Sequence, residues 1–89
     1  MVPRGLLELH QYFKAYKAIN FEFKKEGEEI VAVSTDFVYG SIVTAGKNEK
    51  ELDKNIKDAI LTSFEIPSSY AKEAAIVNVG EKEKQYAIA

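Results

Sequence analysis

Few side chains in this sequence could do acid–base or metal chemistry. His10 is the only histidine and cysteine is absent, which excludes disulfides, thiolate zinc sites and thiol nucleophiles. A metal site would therefore consist almost entirely of carboxylates, which suit Mg²⁺ or Ca²⁺. A lone histidine on a helix beside Tyr and Phe is more often a surface or core-edge residue than a ligand. We predict no metal site and no cofactor.

The carboxylates and serines do not form a recognisable catalytic pattern. Asp36, Asp53 and Asp58 are the only aspartates, and the last two fall on the predicted solvated side of a helix. A small divalent-metal-dependent nuclease or hydrolase would therefore have to combine Asp36 with distant glutamates. No serine lies in a Gly-x-Ser-x-Gly motif, and the glycines form neither a dinucleotide-binding nor a P-loop motif. We predict a protein without catalytic residues.

Aromatic side chains are the feature most suited to recognition. The chain has five Tyr and five Phe. Tyr12 and Tyr16 fall on the first predicted helix, and most aromatic residues are expected in the core. Aromatic residues in loops instead often anchor protein interfaces. Phe37 and Tyr39 lie in a predicted turn and Tyr70 follows a proline, so these three are the predicted partner-binding residues.

Length and charge narrow the class of protein. With 89 residues, the chain is predicted to form a single domain over residues 1–89. Residues 1–5, Met-Val-Pro-Arg-Gly, resemble the remnant of a protease-site linker or a disordered tail. No apolar run is long enough for a membrane helix, and no secretory signal is visible, so we expect a cytoplasmic protein. A net charge of −2 and a pI near 5.4 make direct nucleic-acid binding unexpected.

The hydrophobic periodicity predicts two helices and four or five strands. The predicted class is α+β, a two-layer sandwich of order α-β-β-β-α-β with a possible fifth strand. Its sheet is mainly antiparallel, with the helices on one face. Leu6, Leu9, Phe13 and Tyr16 are predicted to share the buried face of the first helix. The predicted elements are helix 6–18, strand 19–24, strand 30–36, strand 41–45, helix 46–64, a short helical turn at 68–72, strand 74–79 and strand 85–89, with charged turns at 25–29 and 80–84.

The helix predicted over 46–64 carries the clearest local signals. Leu52, Ile56 and Ile60 recur at helical spacing and form an apolar stripe with Ala59 and Phe64. Asn48 is placed to cap the helix, with Glu51 three residues later. Asp53 and Lys57 form a favourable i,i+4 pair. These features predict a surface helix lying on a sheet.

The strand predicted over 30–36 differs from the others, because neither of its faces is polar. Ile30, Ala32 and Ser34 alternate with Val31, Val33 and Thr35. A strand that is apolar on both sides is usually central and covered on both faces. Two helices can cover one face only, so we expect a second copy of the chain to cover the other, giving a two-fold homodimer.

The sequence from residue 21 to 79 resembles the HicB-like antitoxin family, whose small domain has a truncated RNase H-like fold. The resemblance is carried by a glycine, a capping residue and an Ala- and Ile-rich helix. Upstream, residues 31–37 resemble the strand that ends in the family's Pro-Asp-Leu-Pro-Gly turn, and Ile66-Pro67 before a Val-rich strand is also similar. The matching positions of the turn and helix are Gly46, Asn48 in place of Thr, Glu51, Asn55, Ile56, Asp58 in place of Glu, Ala59 and Ile60.

The sequence departs from the family pattern around the turn. Proline is missing before Asp36, Val38-Tyr39 replaces the single proline before Gly40, and Ser41 replaces a cysteine. The segment between Asp36 and Gly46 is two residues longer than usual, and the helix at 6–18 has no family counterpart. No helix-turn-helix or ribbon-helix-helix segment follows Val79, so the resemblance implies a stand-alone form.

The resemblance implies binding without catalysis, since the family's domain masks a small RNA-cleaving toxin. On this hypothesis the chain is an antitoxin-like module that sequesters a small basic RNA-acting partner, for which its acidic charge is suited. The alternatives are the metal-dependent nuclease that uses Asp36 and an assembly subunit of unknown role. Loss of a metal-dependent nuclease activity in Asp36→Ala would favour the first alternative over the binding module.

Overall fold

A five-stranded antiparallel sheet organises the chain, as seen in a computed structural model that describes residues 4–79 and 84–89. The predicted order of elements and the α+β class are confirmed. The elements are α1 (Arg4–Tyr16), β1 (Ile19–Glu26), β2 (Glu29–Ser34), β3 (Val43–Gly46), α2 (Glu49–Ser63), a 3₁₀ turn (Ser68–Tyr70), α3 (Ala71–Ala74), β4 (Ile76–Val79) and β5 (Gln85–Ile88).

The strands lie in the order β3-β2-β1-β5-β4. The first three form a meander, in which Val33 pairs with both Glu22 and Val43. The fifth strand inserts between β1 and β4, where Tyr86 pairs with both Ile19 and Asn78. Residues 80–83 of the predicted charged turn lie outside the described residues. The two edges of the sheet are therefore β3 and β4.

The core lies between the helices and one face of the sheet. Only one alternating set of strand residues is buried with the apolar residues of α1 and α2, so both long helices pack on that face. We call it the inner face and the opposite one the outer face. The buried core residues are Leu6, Leu9, Tyr12, Phe13, Ile19, Phe21, Ala32, Ile42, Leu52, Ile56, Ile60, Leu61, Phe64, Ile66, Ala74, Ile76 and Tyr86.

Helix α2 begins as its sequence predicts. The Asn48 side chain accepts a hydrogen bond of 2.9 Å from the Glu51 N–H, which satisfies one of the free donors of the first turn. The first helical residue is Glu49 rather than Gly46, because Gly46 still belongs to β3. A Cβ atom at Gly46 would lie 2.5 Å from the Leu52 nitrogen, so only glycine permits this close approach of strand and helix.

Helix α1 begins earlier than predicted. Arg4 and Gly5 belong to it rather than to a tail, and Gly5 is buried where a Cβ atom would overlap the Phe64 carbonyl oxygen. Residues 1–3 lie outside the described residues. The helix ends at Tyr16 because Lys17 adopts a left-handed backbone with φ of 70°. The prediction that Tyr16 is buried is wrong. The core-facing side of α1 is centred on Leu9, Tyr12 and Phe13, and Tyr16 lies at the exposed end of the helix.

A hydrogen bond between Tyr86 and Asp53 ties α2 to the middle of the sheet. The Tyr86 hydroxyl donates to Asp53 Oδ1 at 2.7 Å, and Lys57 Nζ lies 2.9 Å from Asp53 Oδ2. The predicted Asp53–Lys57 pair is confirmed, but Asp53 is half-buried rather than solvated. Burial raises the pKa of Asp53, yet the hydrogen bonds from Tyr86 and Lys57, the Lys57 charge and a hydrogen bond from Asn78 together bring this pKa below its usual 3.8.

The outer face of the sheet is more exposed than the sequence of β2, which is apolar on both sides, leads one to expect. Val33 is 37% exposed and Val43 is 61% exposed, and both point away from the helices. In the described part of the chain, no helix is long and apolar enough to cross a membrane.

We predict that Tyr86→Phe lowers the free energy of unfolding by about 1–2 kcal/mol at neutral pH, because it removes a hydrogen bond to an ionised carboxylate. A lowered folded-state pKa contributes stability that is present above the unfolded pKa of Asp53 and is lost as pH falls through the folded one. The difference from the original protein should therefore shrink below about pH 4. Urea unfolding at several pH values measures this difference in the free energy of unfolding. Tyr16→Phe, at an exposed tyrosine, is the control. An equal difference at neutral and acid pH would contradict this role of Asp53.

Candidate functional site

The loop between β2 and β3 is closed at its base by a reciprocal pair of hydrogen bonds. The Ser34 N–H donates to the Ile42 carbonyl at 2.9 Å, and the Ile42 N–H donates to the Ser34 hydroxyl oxygen at 2.8 Å. Both residues are buried. Because the buried Ser34 hydroxyl accepts one of these hydrogen bonds, it fixes the two ends of the loop relative to each other.

The first residues of the same loop are held on β1 by Asn20. The Asn20 backbone N–H and side-chain amide donate to the two carboxylate oxygens of Asp36 at 2.8 and 2.6 Å. The Thr35 N–H and hydroxyl both donate to the Asn20 carbonyl. Hydrogen bonds to an ionised acceptor are stronger than those between neutral groups. Asp36, the aspartate on which a metal-dependent hydrolase would depend, therefore has a structural role in positioning the loop.

The tip of the loop is held by α1. The Val38 N–H donates to the Tyr12 hydroxyl oxygen at 3.1 Å. Burial raises the pKa of the Tyr12 phenol above its usual 10.0 against the opposing effect of this hydrogen bond, and the nearby Asp36 charge raises it further. The phenol therefore remains neutral at physiological pH. Base, start and tip of the loop all have fixed partners.

Five aromatic rings meet where this loop lies over the helices, and we call this group the aromatic corner. It consists of Tyr12, Tyr16, Phe37, Tyr39 and Phe64. The Tyr12 ring is central, since its centroid lies 4.7 Å from that of Tyr16, 5.3 Å from Phe37, 5.6 Å from Tyr39 and 5.7 Å from Phe64. Tyr39 also contacts Phe37 and Phe64 edge to face, which is a favourable geometry for aromatic pairs.

The aromatic corner has buried rings on the side of the core and exposed side chains on the side of the solvent. Tyr12 and Phe64 are 3% and 6% exposed, whereas Tyr39 is 71% exposed and Tyr16 and Val38 are each 52% exposed. Exposed aromatic side chains on a rigid support are typical anchors of protein–protein interfaces. This geometry can bind an apolar group of a partner.

Two hollows adjoin the aromatic corner. One, of about 530 Å³, lies between the start of α1 and the end of α2, beside Tyr39. The other, of about 440 Å³, is an open groove between β3 and α2. Ser63 lines both, so both hollows reach the last turn of α2. In the groove, the Asn55 amide donates to the Ala45 carbonyl at 2.7 Å, which occupies one backbone acceptor of the edge strand.

The structure brings together two of the three predicted site residues. Phe37 and Tyr39 both belong to the aromatic corner, Phe37 half-buried and Tyr39 exposed. Tyr70 is half-buried against the core, and none of the ring contacts of the corner involves it. Sequence reasoning missed Phe64 as a site residue, because nothing local shows that the end of α2 lies beneath the β2–β3 loop. The i,i+4 spacing of Tyr12 and Tyr16 is the signal that could have linked α1 to the site.

In the described part of the chain, the acidic side chains and the histidine are not grouped in a way that suits a metal ion. Among residues 4–79 and 84–89, no three His, Asp or Glu side chains are placed to hold a metal ion together. His10 lies on the exposed side of α1, and Asp53 is engaged by Tyr86 and Lys57. Comparisons with protein-family models, with curated proteins and with solved structures gave no match. The interpretation of the site therefore depends on its geometry and chemistry.

We predict that Tyr12→Phe loosens the tip of the loop while leaving the aromatic packing in place. Loss of the Val38–Tyr12 hydrogen bond should lower the free energy of unfolding by about 0.5–1.5 kcal/mol and accelerate exchange of the Val38 amide hydrogen. Tyr16→Phe, which removes a hydroxyl from a neighbouring exposed ring, is the control. Unchanged Val38 exchange in Tyr12→Phe would show that this hydrogen bond does not hold the loop.

Proposed function

We propose that this chain is a non-catalytic protein-binding module, antitoxin-like in the manner of the HicB family, that sequesters a small basic RNA-acting protein in the cytoplasm. The observation that carries the proposal is Tyr39, a large aromatic side chain that is 71% exposed although its loop is fixed by hydrogen bonds. An apolar group held rigidly in water has no role in the core of this chain. It is suited to desolvation by a partner.

The rigidity of the loop supports a binding role. A hydrogen bond donated by Asn20 holds its start, and hydrogen bonds accepted by the hydroxyl oxygens of Ser34 and Tyr12 hold its base and tip. A surface that is already ordered loses little conformational entropy on binding, so more of the contact energy appears as affinity. Tyr39 has few rotatable bonds and rests on three other rings. The aromatic corner therefore has the properties of a preorganised anchor site.

The charges near the aromatic corner favour a basic partner. Glu8 and Glu65 line the hollow beside Tyr39, with Arg4 as the cation among its lining residues. Asp58 lines the adjoining groove. The ion pairs of the described residues, Lys24–Glu26 and Lys57–Asp53, involve none of these three acids. Together with the net charge of −2, they give a surface whose potential would steer and orient a basic protein.

The family resemblance adds the nature of the partner. The turn-and-helix pattern from Gly46 to Ile60 is the source of the proposal that the partner acts on RNA. The exposed tyrosine lies at the departure from that pattern, where Val38-Tyr39 stands in place of the single proline. Recognition by this chain would therefore depend on residues in which it differs from the family pattern, so its partner would be specific to it.

We predict that Tyr39→Ser weakens capture of the partner by about tenfold to a hundredfold, the range expected for an aromatic anchor residue. Leu7→Ser is the matched control, because Leu7 is 60% exposed on α1 and does not belong to the aromatic corner. The measurement is affinity capture from extract of the native cells, followed by mass spectrometry and by titration of the captured protein. Binding should also weaken as salt concentration rises, because opposite charges attract across the interface.

The captured protein then tests the antitoxin-like role directly. It should cleave RNA when alone and lose that activity when the chain is added, with Tyr39→Ser giving poor inhibition. A captured protein without RNA-cleaving activity would contradict the antitoxin-like role but leave binding at the corner intact. Equal capture by the original protein and Tyr39→Ser would contradict the corner as the site. Metal-dependent nuclease activity of the chain itself, abolished by Asp36→Ala with the fold retained, would favour the hydrolase alternative.

A further inference from the structure

The outer face of β2 and β3 carries a small valine patch that no part of the described chain covers. It consists of Val31, Val33, Val43 and Ala45. Val33 and Val43 are 37% and 61% exposed, and the other two are half-buried. Large apolar side chains side by side on a sheet face are costly to leave in water when they could be covered. This patch lies on the opposite side of the sheet from the core and does not belong to the aromatic corner.

The register of the sheet places one charged residue at the end of each row of this patch. In the first row, Val43 pairs with Val33 and Val33 pairs with Glu22. In the second row, Ala45 pairs with Val31 and Val31 pairs with Lys24. Glu22 and Lys24 are exposed, and they alternate along β1 on the same face as the valines. The two rows therefore have the same apolar pattern and opposite charges at their ends.

From this pattern we infer that a second copy of the chain packs face to face on the valine patch. The two-fold axis would run across the strands, between the two rows. Rotation about this axis lays each strand over its own copy in the reverse direction and exchanges the rows. Val33 then faces Val31 of the other copy, and Glu22 faces its Lys24. A contact that satisfies the same apolar and charged groups twice is what a two-fold interface requires.

The geometry agrees with the way sheets pack. Face-to-face sheets cross at about 30° and lie ~10 Å apart, a distance that two layers of valine side chains fill. If the strands of each copy are tilted by about 15° from the perpendicular to the two-fold axis, the two sheets cross at this angle. Lys24 already lies 3.9 Å from Glu26 within its own chain, with its side chain 78% exposed. In the dimer it would lie between two carboxylates instead of beside one.

Charge and hydrogen bonding disfavour pairing of two copies along the β3 edge. Such pairing would bring the groove of each copy, with its Asp58, beside that of the other and place like charges close together. The Ala45 carbonyl, which the added strand would need, already accepts from Asn55. The outer face has neither obstacle.

The expected dimer is weak. A patch three strands wide and two rows long spans roughly 14 Å by 14 Å, an area of about 200 Å² that is well below the ~800 Å² per partner of a typical stable interface. We therefore expect a dissociation constant of roughly 10–500 μM. Sedimentation equilibrium over a concentration series up to about 1 mM tests it on the purified chain. The inference does not depend on the proposed function.

Reversing the two charges gives a sharp test of the register. Glu22→Lys alone places lysine against lysine twice, and Lys24→Glu alone places glutamate against glutamate twice. Each should raise the dissociation constant about tenfold or more. The double variant restores opposite charges, and so does an equimolar mixture of the two single variants, which should form a heterodimer. Both substitutions lie at exposed positions, and circular dichroism checks that each variant is folded.

The outcomes decide the inference in either direction. Self-association that each single variant weakens and that the mixture restores supports it. A monomer throughout the concentration series overturns it. Self-association that the charge variants leave unchanged, or that the mixture fails to restore, also overturns it, because the copies then meet elsewhere. Loss of self-association in Tyr39→Ser but not in the charge variants would assign that contact to the aromatic corner.

Discussion

The packing of α2 across the inner face of the sheet is the constraint on which the other features depend. Its fully buried residues Leu52, Ile56 and Ile60 form the centre of the core. The first turn approaches β3 at Gly46, where a side chain would collide, and the second turn is tied to β5 by the Asp53–Tyr86 hydrogen bond. The end of the helix delivers Phe64 to a position beneath the β2–β3 loop. The groove beside β3 and the aromatic corner are thus both consequences of where this helix lies.

Local sequence signals were sufficient for α2 and insufficient for the position of β5. The N-cap, the apolar stripe and the i,i+4 ion pair all act within a few residues, so they could be recognised without knowing the fold, and each is present. The insertion of β5 between β1 and β4 pairs Tyr86 with Ile19, which lies far away in the sequence. No pattern local to β5 specifies that pairing.

The candidate site, too, could be predicted from the sequence only in part. Phe37 and Tyr39 could be identified because aromatic residues in a turn are unusual enough to stand out. The residues that support them could not be identified, since Tyr12 and Phe64 reach them from helices distant in sequence. The hydrogen bonds between Asn20 and Asp36 likewise join β1 to a loop that lies 16 residues further along the chain. The sequence alone left Asp36 open as a metal ligand. Its two carboxylate oxygens instead accept hydrogen bonds from one asparagine, which is a role that only the fold reveals.

The exposed apolar residues of the outer face and those of the aromatic corner differ in how strongly they indicate binding. Valine is common in strands, so Val33 and Val43 taken singly imply little. Their significance comes from the register with Glu22 and Lys24. Tyr39 needs no such support, because the turn itself requires no aromatic ring and the ring beside it, Phe37, already covers the core. A large side chain that is 71% exposed and nevertheless held in place is available for contact with another molecule. On these grounds we propose the aromatic corner as the surface for a foreign partner and the outer face as the surface for a second copy.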